Sequence, residues 1–261
     1  MKLSRILFTS ALVWGTGIAT APAVIDAYAV KPVGYTLTGA DEFFSGSHLI
    51  DGSGLTDPLE TWTKMPDDPN AVKHTWGVGV ASDNWVTGAP GGFPSDWFEA
   101  SGTIPTFVFD LGEDRPLIGA HFWQYGSGTG TPGAVQGNGA KSIELRFNTA
   151  ADGNVDFLGP VYTIDLDHAP PDGEPTGQVL PRQDLWLPDV IDARYVEMRI
   201  TDSWFVAPGD GTGMDEHGHP IRGGDRVGLG EVRFSMVPEP GTYALALLGL
   251  GLLGLARRRR R

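Results

Sequence analysis

The chain has no cysteine among its 261 residues, which excludes disulfide bonds, thiolate metal ligands and cysteine nucleophiles. Its middle part also lacks an amphipathic helical pattern longer than about ten residues. Glycine (37 residues) and proline (20 residues) are abundant instead, and this composition favours many short strands joined by loops. The sequence therefore predicts an all-β protein.

Basic residues are scarce outside the two ends of the chain. Of 19 lysines and arginines, seven are terminal: Lys2, Arg5 and the five arginines 257–261. The remaining 12 face 32 acidic residues, so the body has a net charge of about −20. Such a body repels nucleic acid, so no nucleic-acid partner is predicted, and it attracts divalent cations. A solvated acidic surface explains the same charge without a ligand.

Alternating apolar side chains predict the strands. The segment 104–125 is interpreted as two strands joined by a charged turn that contains Gly112, Asp114 and Pro116. Further strands are predicted at 33–38, 140–148, 161–166, 193–201 and 229–236. The irregular region 60–103 holds half of the eight tryptophans, and long loops are expected at 126–139 and 202–226.

The N-terminal residues 1–23 have the pattern of a secretory signal peptide. Two basic residues precede a short apolar stretch, and Ala21-Pro22-Ala23 forms a small-residue cleavage site. We expect a signal helix here and export of the body, residues 24–236. The alternative is a buried helix at a mature N-terminus.

The last segment, residues 237–261, has three parts. Pro238, Glu239 and Pro240 form a stiff break, an apolar run covers 242–256, and five arginines follow. As a helix the run spans roughly 22 Å, less than the roughly 30 Å hydrocarbon core, but Tyr243 and the arginines can anchor its ends. We predict a transmembrane helix with the arginines on the cytoplasmic side.

These three parts, in this order, closely resemble the PEP-CTERM sorting signal of Gram-negative bacteria. The resemblance implies that a membrane exosortase recognises Pro238, Glu239 and Pro240 and processes the chain nearby. It also implies transient anchoring in the inner membrane, followed by delivery to the cell envelope, the outer surface or an extracellular matrix. An ordinary C-terminal anchor is the alternative.

Two short stretches have side chains that suit metal ions. Asp51 and Asp57 lie in a tight turn whose oxygens could chelate a hard cation, although a plain Asp-Gly turn explains the residues equally well. His217 and His219 would face the same side of a strand and could hold zinc or copper. The flanking glycine and proline favour a loop for this pair, in contact with solvent or sugar.

Known catalytic motifs are missing. The sequence has no HExxH motif, no GxSxG nucleophile elbow and no glycine spacing of a nucleotide-binding loop. Tryptophans in the irregular region suit stacking on sugar rings or protein contacts, and they also suit filling the end of a β-sandwich core. We therefore expect a binding protein and not an enzyme.

The body resembles discoidin-like (coagulation-factor C-type) domains, which are galactose-binding-like jelly-roll β-sandwiches. The segments that carry the resemblance are LIDG (49–52), FVFDLG (107–112), IELRFN (143–148), ARYVEMRI (193–200) and LGEVRF (229–234). The region 60–103 and the loop 202–226 depart from the family pattern. The expected architecture is an all-β discoidin-like jelly-roll β-sandwich flanked by an N-terminal signal helix and a C-terminal transmembrane helix.

The same resemblance implies two sites. A structural Ca²⁺ ion would be held by the Asp51 and Glu231 carboxylates and by oxygens of the 49–57 loop, including those of Leu49 and Asp57. Sugars would bind among loops at one end of the sandwich, which suggests the following ligand-binding residues: Trp62, Trp85, Trp97, Trp204, His217 and Arg222.

The function expected from these features is non-catalytic binding of a polysaccharide by an exported protein. The polysaccharide would be an exopolysaccharide, in keeping with the sorting signal. A structural matrix or adhesion component without specific sugar binding is the first alternative. A secreted glycan hydrolase is the second.

Overall fold

The computed structural model describes residues 26–76, 81–172 and 179–238. The predicted signal peptide and the tail beyond Pro238, with the two helices expected there, lie outside these ranges. Within them strands dominate, and the α-helix Trp97–Ser101 has only five residues. The all-β prediction is confirmed. No helix in these ranges is long and apolar enough to cross a membrane.

The described elements are short apart from two strands. One α-helix, α1 (Trp97–Ser101), and two 3-10 turns, Gly46–Leu49 and Ala81–Asp83, accompany the strands. The strands are β1 Tyr28–Val30, β2 Gly34–Thr38, β3 Glu42–Phe44, β4 His74–Thr75, β5 Trp85–Thr87, β6 Thr106–Gln124, β7 Val135–Gln136, β8 Ala140–Asn148, β9 Tyr162–Asp165, β10 Val179–Leu180, β11 Arg182–Ser203, β12 Asp210–Met214, β13 Pro220–Arg222 and β14 Gly228–Met236.

The strands β6 and β11 run antiparallel through the whole body. The sequence predicted β6 as two strands and a turn, but the structure has one strand that pairs with β11 on both sides of that turn, so the charged residues form a bend in the strand. Before the bend β6 pairs with β2, and after it with β14. Between residues 186 and 195 β11 shifts register twice, and such bulges let a strand bend.

The bend folds the nine-stranded sheet into a two-layer sandwich. The first layer contains β2, the first half of β6, the second half of β11, β8 and β9. The second layer contains the second half of β6, the first half of β11, β14, β5, β3 and β1. Aromatic contacts join the layers: Phe107 meets Trp85 at 4.8 Å between ring centroids, and Phe109 meets Phe234 at 5.9 Å. Alternating apolar residues of both layers therefore face a shared core, as the sequence pattern predicts.

The chain between residues 50 and 76 covers the outer face of the second layer. Leu59, Met65 and Val72 pack there against Trp123, whose indole N–H donates to the Val72 carbonyl at 3.0 Å. The guanidinium of Arg233 donates to the Leu59 carbonyl at 2.9 Å. Both faces of this layer are therefore buried.

The two ends of the sandwich differ. We call the end at the β6 bend the bend end; Val33 N–H and Val237 N–H donate there to the carbonyls of Asp110 (2.8 Å) and Pro116 (3.1 Å). The opposite end, where β6 starts and finishes, is the loop end. Trp97 N–H donates there to the Gly224 carbonyl at 2.8 Å. The hairpin of β12 and β13 also lies at this end, in the loop predicted at 202–226.

We expect Phe109→Ala to lower the free energy of unfolding by about 3–5 kcal/mol, because its ring is fully buried and connects the two layers. Denaturant unfolding measures this change. The control is Phe93→Ala, since Phe93 is exposed and such substitutions usually change stability by only about 0.5 kcal/mol. Equal losses in both variants would contradict the packing described here.

Candidate functional site

Two of the predicted ligand-binding tryptophans belong to the core. Trp85 has no exposed surface, and Trp97 is 2% exposed with its indole N–H donating to the Gly88 carbonyl at 3.1 Å. Neither ring has a face free for a sugar. These two residues fill the sandwich, which is the alternative considered from the sequence.

Trp62 lies at the bend end, away from the other predicted ligand residues. Its side chain is half-exposed, its backbone has the left-handed φ of 74°, and the Arg115 guanidinium lies 5.4 Å from its ring centroid. It lines a pocket of about 230 Å³ together with Arg115, Met236 and Val237. The structure therefore does not combine Trp62 with Trp204, His217 and Arg222 in one site.

The other three predicted residues lie at the loop end. Trp204 is partly exposed and is fixed by its indole N–H, which donates to the Leu166 carbonyl at 3.1 Å. Arg222, on β13, donates to the hydroxyl of Thr131 at 2.7 Å. His217 is exposed at the tip between β12 and β13. Tertiary contacts thus gather Trp204 and the β12–β13 hairpin at the same end.

Trp204 is the centre of a group of polar and aromatic side chains that we call the Trp204 cluster: Lys141, His168, Trp204, Asp215 and His219. The His168 ring meets the indole edge-on at 5.0 Å, and the Lys141 ammonium lies 5.2 Å from the indole centroid. The Asp215 carboxylate joins two histidines, 3.2 Å from His168 Nε2 and 2.9 Å from His219 Nδ1. The cluster therefore connects three separate loops.

The buried carboxylate of Asp215 holds this cluster in place. Its side chain is 1% exposed, and it accepts the backbone N–H groups of His217 at 2.9 Å and His219 at 2.7 Å. Burial raises the pKa of Asp215, but these N–H groups and the His219 ring outweigh it and hold the pKa below its ordinary value. Asp215 is thus a charged acceptor that orients the two imidazole rings.

A trough of about 730 Å³ lies at the loop end. It lies between the end of β2, the segment after β5 and helix α1. Its wall combines the Asp41 carboxylate and the Thr103 hydroxyl with Leu37, Pro90 and Ala100. A cavity of this size can hold a sugar ring or two.

Two parts of the predicted calcium site are adjacent, namely the loop of Asp51 and the side chain of Glu231. Gly52 N–H donates to the Glu231 carboxylate at 3.1 Å, so the loop of Asp51 is attached to the last strand. The other Glu231 oxygen is bonded to the Arg233 guanidinium, and both side chains are fully buried. The Asp51 carboxylate accepts the Ser53 N–H at 2.7 Å. Leu49 is buried, and Asp57 is exposed.

Calcium binding stays a prediction, and in this arrangement the residues do not fit the ion. A carboxyl group must be deprotonated to bind calcium. Burial raises the pKa of Glu231 to about 8, although Arg233 acts in the opposite direction. The Arg233 guanidinium also occupies the position beside Glu231 where a cation would bind.

The His217 and His219 pair has no third metal ligand among the described residues. The two ring centroids are 6.2 Å apart, and the His219 Nδ1 atom is used by Asp215. No group of three or more histidines, aspartates and glutamates in the described ranges is arranged to hold a metal ion. The loop interpretation of the pair agrees with its position between β12 and β13.

Ser235, His121 and Asp184 lie on the covered face of three adjacent strands and superficially suggest a hydrolase triad. His121 Nδ1 lies 2.7 Å from Asp184, and hydrogen bonds from His121 and Arg182 outweigh burial and lower the pKa of Asp184 to about 2. Ser235 and His121 have no exposed surface, however, and neither the serine hydroxyl nor His121 Nε2 has a hydrogen-bond partner. This group is structural and does not activate a nucleophile.

The comparison with protein families identifies the tail. A model of the PEP-CTERM protein-sorting motif matches residues 237–261, so the chain carries this motif, as predicted from its three parts. The motif marks an exported protein that is sorted to the cell surface and processed by an exosortase. No curated protein matches the chain.

Solved structures similar to the body are sugar-binding modules and discoidin-type domains. One is a family 32 carbohydrate-binding module from C. perfringens NanJ in complex with galactose (13% identity, TM-score 0.39, covering 80% of this chain and 98% of that chain). Others are an F5/8 type C domain from Bacteroides fragilis (9%, 0.40, 81% and 97%) and a Streptococcus pneumoniae fucose-binding module (10%, 0.38, 78% and 92%). Identities and TM-scores this low give no information on a shared ligand.

The sequence analysis missed three members of the Trp204 cluster. Lys141 lies at the start of a strand, and His168 and Asp215 lie in loops without a recognisable motif. His168 and Asp215 are far apart in the sequence, so only the folded chain brings them into contact. The one local feature that could have pointed to Asp215 is its position in a turn, where it accepts the N–H groups of the residues two and four positions later. Aspartates do this in ordinary turns as well, so the feature does not identify a site.

Glu231 should make stability depend on pH. Because its pKa in the folded protein is raised to about 8, its contribution is present at low pH and is lost as the pH rises from about 5 to 8. The change is at most about 1.4 kcal/mol per pH unit. The free energy of unfolding is measured across this pH range for the unaltered protein and for Glu231→Gln. The difference between the two proteins is the contribution of the Glu231 carboxyl group.

The comparison between these two proteins is needed because His74 and His121 also make stability depend on pH. Burial lowers the pKa of both, so their contribution to stability rises with pH in both proteins. If the difference in the free energy of unfolding between the unaltered protein and Glu231→Gln is the same at pH 5 and pH 8, the raised pKa of Glu231 is contradicted.

Calcium can be tested by melting the protein with added calcium or with a chelator. Since Arg233 already provides a positive charge beside Glu231, we expect no change in the melting temperature. Arg233→Met removes the competing charge, and this variant alone should gain stability from calcium. A calcium response of the unaltered protein that Asp51→Ala abolishes would establish the calcium site predicted from the sequence.

Proposed function

We propose that the body binds a neutral exopolysaccharide, without catalysis, through the Trp204 cluster. The observation that supports this proposal is the arrangement of that cluster. Two imidazole rings contact the buried Asp215 carboxylate, and the Trp204 indole contacts one of these rings and the Lys141 ammonium. The export and sorting of the chain bring this surface to the outside of the cell.

The chemistry of the cluster suits a sugar ring. The C–H faces of a pyranose are apolar and can lie against an indole, while its hydroxyls need donors and acceptors arranged around that ring. Lys141 and His219 provide them and are each more than a third exposed. Their positions are fixed by Trp204 and Asp215, so little side-chain entropy is lost on binding.

The charge of the body selects among glycans. About twenty net negative charges repel a polyanionic polysaccharide at low ionic strength, so a neutral chain is the preferred ligand. The neutral sugars to test include galactose and fucose, which are named for two of the similar modules.

A glycan array probed with the full-length protein in detergent, followed by calorimetric titration of the best neutral oligosaccharide, tests the proposal. Trp204→Ala should reduce the affinity at least tenfold, since a lost stacking contact of about 1.4 kcal/mol corresponds to that factor. Trp62→Ala is the matched control, because it removes an indole at the other end of the sandwich and should leave the affinity unchanged.

Two results would contradict the proposal in different ways. If Asp41→Ala abolishes glycan binding and Trp204→Ala does not, the glycan binds in the trough beside helix α1 and not at the Trp204 cluster. Absence of binding to all glycans would favour the structural matrix or adhesion component. Hydrolysis of a bound glycan by the protein would instead support the alternative of a secreted glycan hydrolase.

A further inference from the structure

The exposed large apolar side chains are concentrated at the bend end. Six of the ten in the described part of the chain lie there, and Leu158 is 92% exposed. The six are Val33, Trp62, Val155, Leu158, Val161 and Val190. Soluble proteins expose single apolar residues widely, but several on one end indicate a surface for contact.

The segments that carry these residues are attached to the β6 bend. The loop 149–160, which carries Val155 and Leu158, is joined to the bend by Ala150 N–H, which donates to Asp114 at 2.7 Å. Pro160, Tyr162 and Val190 line a common pocket of about 340 Å³. The six side chains therefore belong to one end of the body and form its outer rim.

The tail leaves the body at this same end. The N–H of Val237 donates to the Pro116 carbonyl at 3.1 Å, which fixes the last residues of the body beside the bend. Only four residues, 238–241, separate Val237 from the apolar run 242–256. Four residues reach at most about 14 Å, even when fully extended. When the run is in a bilayer, the exit of the tail at the bend end therefore lies within about 14 Å of the hydrocarbon core, close to the lipid headgroups.

We infer that the bend end docks on the lipid bilayer that holds the unprocessed tail, with Leu158, Val155, Val190 and Trp62 in the interfacial layer. The inference rests on the insertion of the apolar run into the membrane. Apolar side chains in the interface gain burial, and an indole beside Arg115 is suited to the headgroup region. The Trp204 cluster, at the loop end, then points away from the membrane.

The charge of the bend end specifies the lipid. Acidic residues outnumber the basic residues Arg115 and Arg194 at this end, and each of these two arginines is already paired with a carboxylate. The acidic residues include Asp110, Glu113, Asp114, Asp152, Asp156, Asp189 and Asp192. An anionic surface would repel this end, so a zwitterionic bilayer is the preferred partner.

The absence of cysteine permits a direct test with single labels. Leu158→Cys at the bend end and Met214→Cys at the loop end replace exposed residues, so both variants should fold. Each full-length variant is labelled with an environment-sensitive dye and reconstituted in phosphatidylcholine vesicles that contain brominated lipid. We expect a blue shift and loss of most of the fluorescence for the dye at position 158, with little change at position 214.

Two further measurements make the result decisive. Adding Val190→Asp and Val155→Asp should restore the fluorescence at position 158 while the tail still holds the protein on the vesicles in a flotation assay. Equal quenching at positions 158 and 214 in floated protein would overturn the docking. Failure of the unaltered chain to float would overturn both the anchor and the docking, whereas sugar binding is measured separately and would be unaffected.

Discussion

The packing of the first half of β6 against β5 and β14 is the contact on which the rest of the structure depends. Phe107 and Phe109 of one layer meet Trp85 and Phe234 of the other, and these rings are fully buried. The bend in β6 brings the layers together, and it also creates two ends with different surfaces. The loop end gathers polar and aromatic side chains, while the bend end carries apolar tips and the exit of the tail.

Covering the second layer has a chemical consequence. Residues 50–76 bury polar side chains that would otherwise face water, so Glu231 pairs with Arg233 and His121 with Asp184. Removing one partner of such a pair is costly, because the other buried polar group is left without a hydrogen bond. This accounts for the guanidinium at the position of the predicted calcium ion, and for a serine–histidine–aspartate group that does no chemistry.

The functional proposals follow from the separation of the two ends. We propose that the sorting tail, which leaves the body at the bend end, holds it close to the membrane until an exosortase processes the chain. The Trp204 cluster lies at the opposite end, so in these proposals it faces away from the membrane. Binding and anchoring would then use different surfaces of the sandwich, and each could be altered by substitution without the other.

The sequence alone determined the all-β class, most strands and the sorting motif, because alternation, turn residues and an apolar run next to arginines are local patterns. It predicted sugar-binding tryptophans from their place in irregular segments, and it could not distinguish the buried Trp85 from the accessible Trp204. It also missed His168 and Asp215. Burial and contact between residues distant in the sequence depend on how the layers and loops pack, and only the tertiary structure decides them.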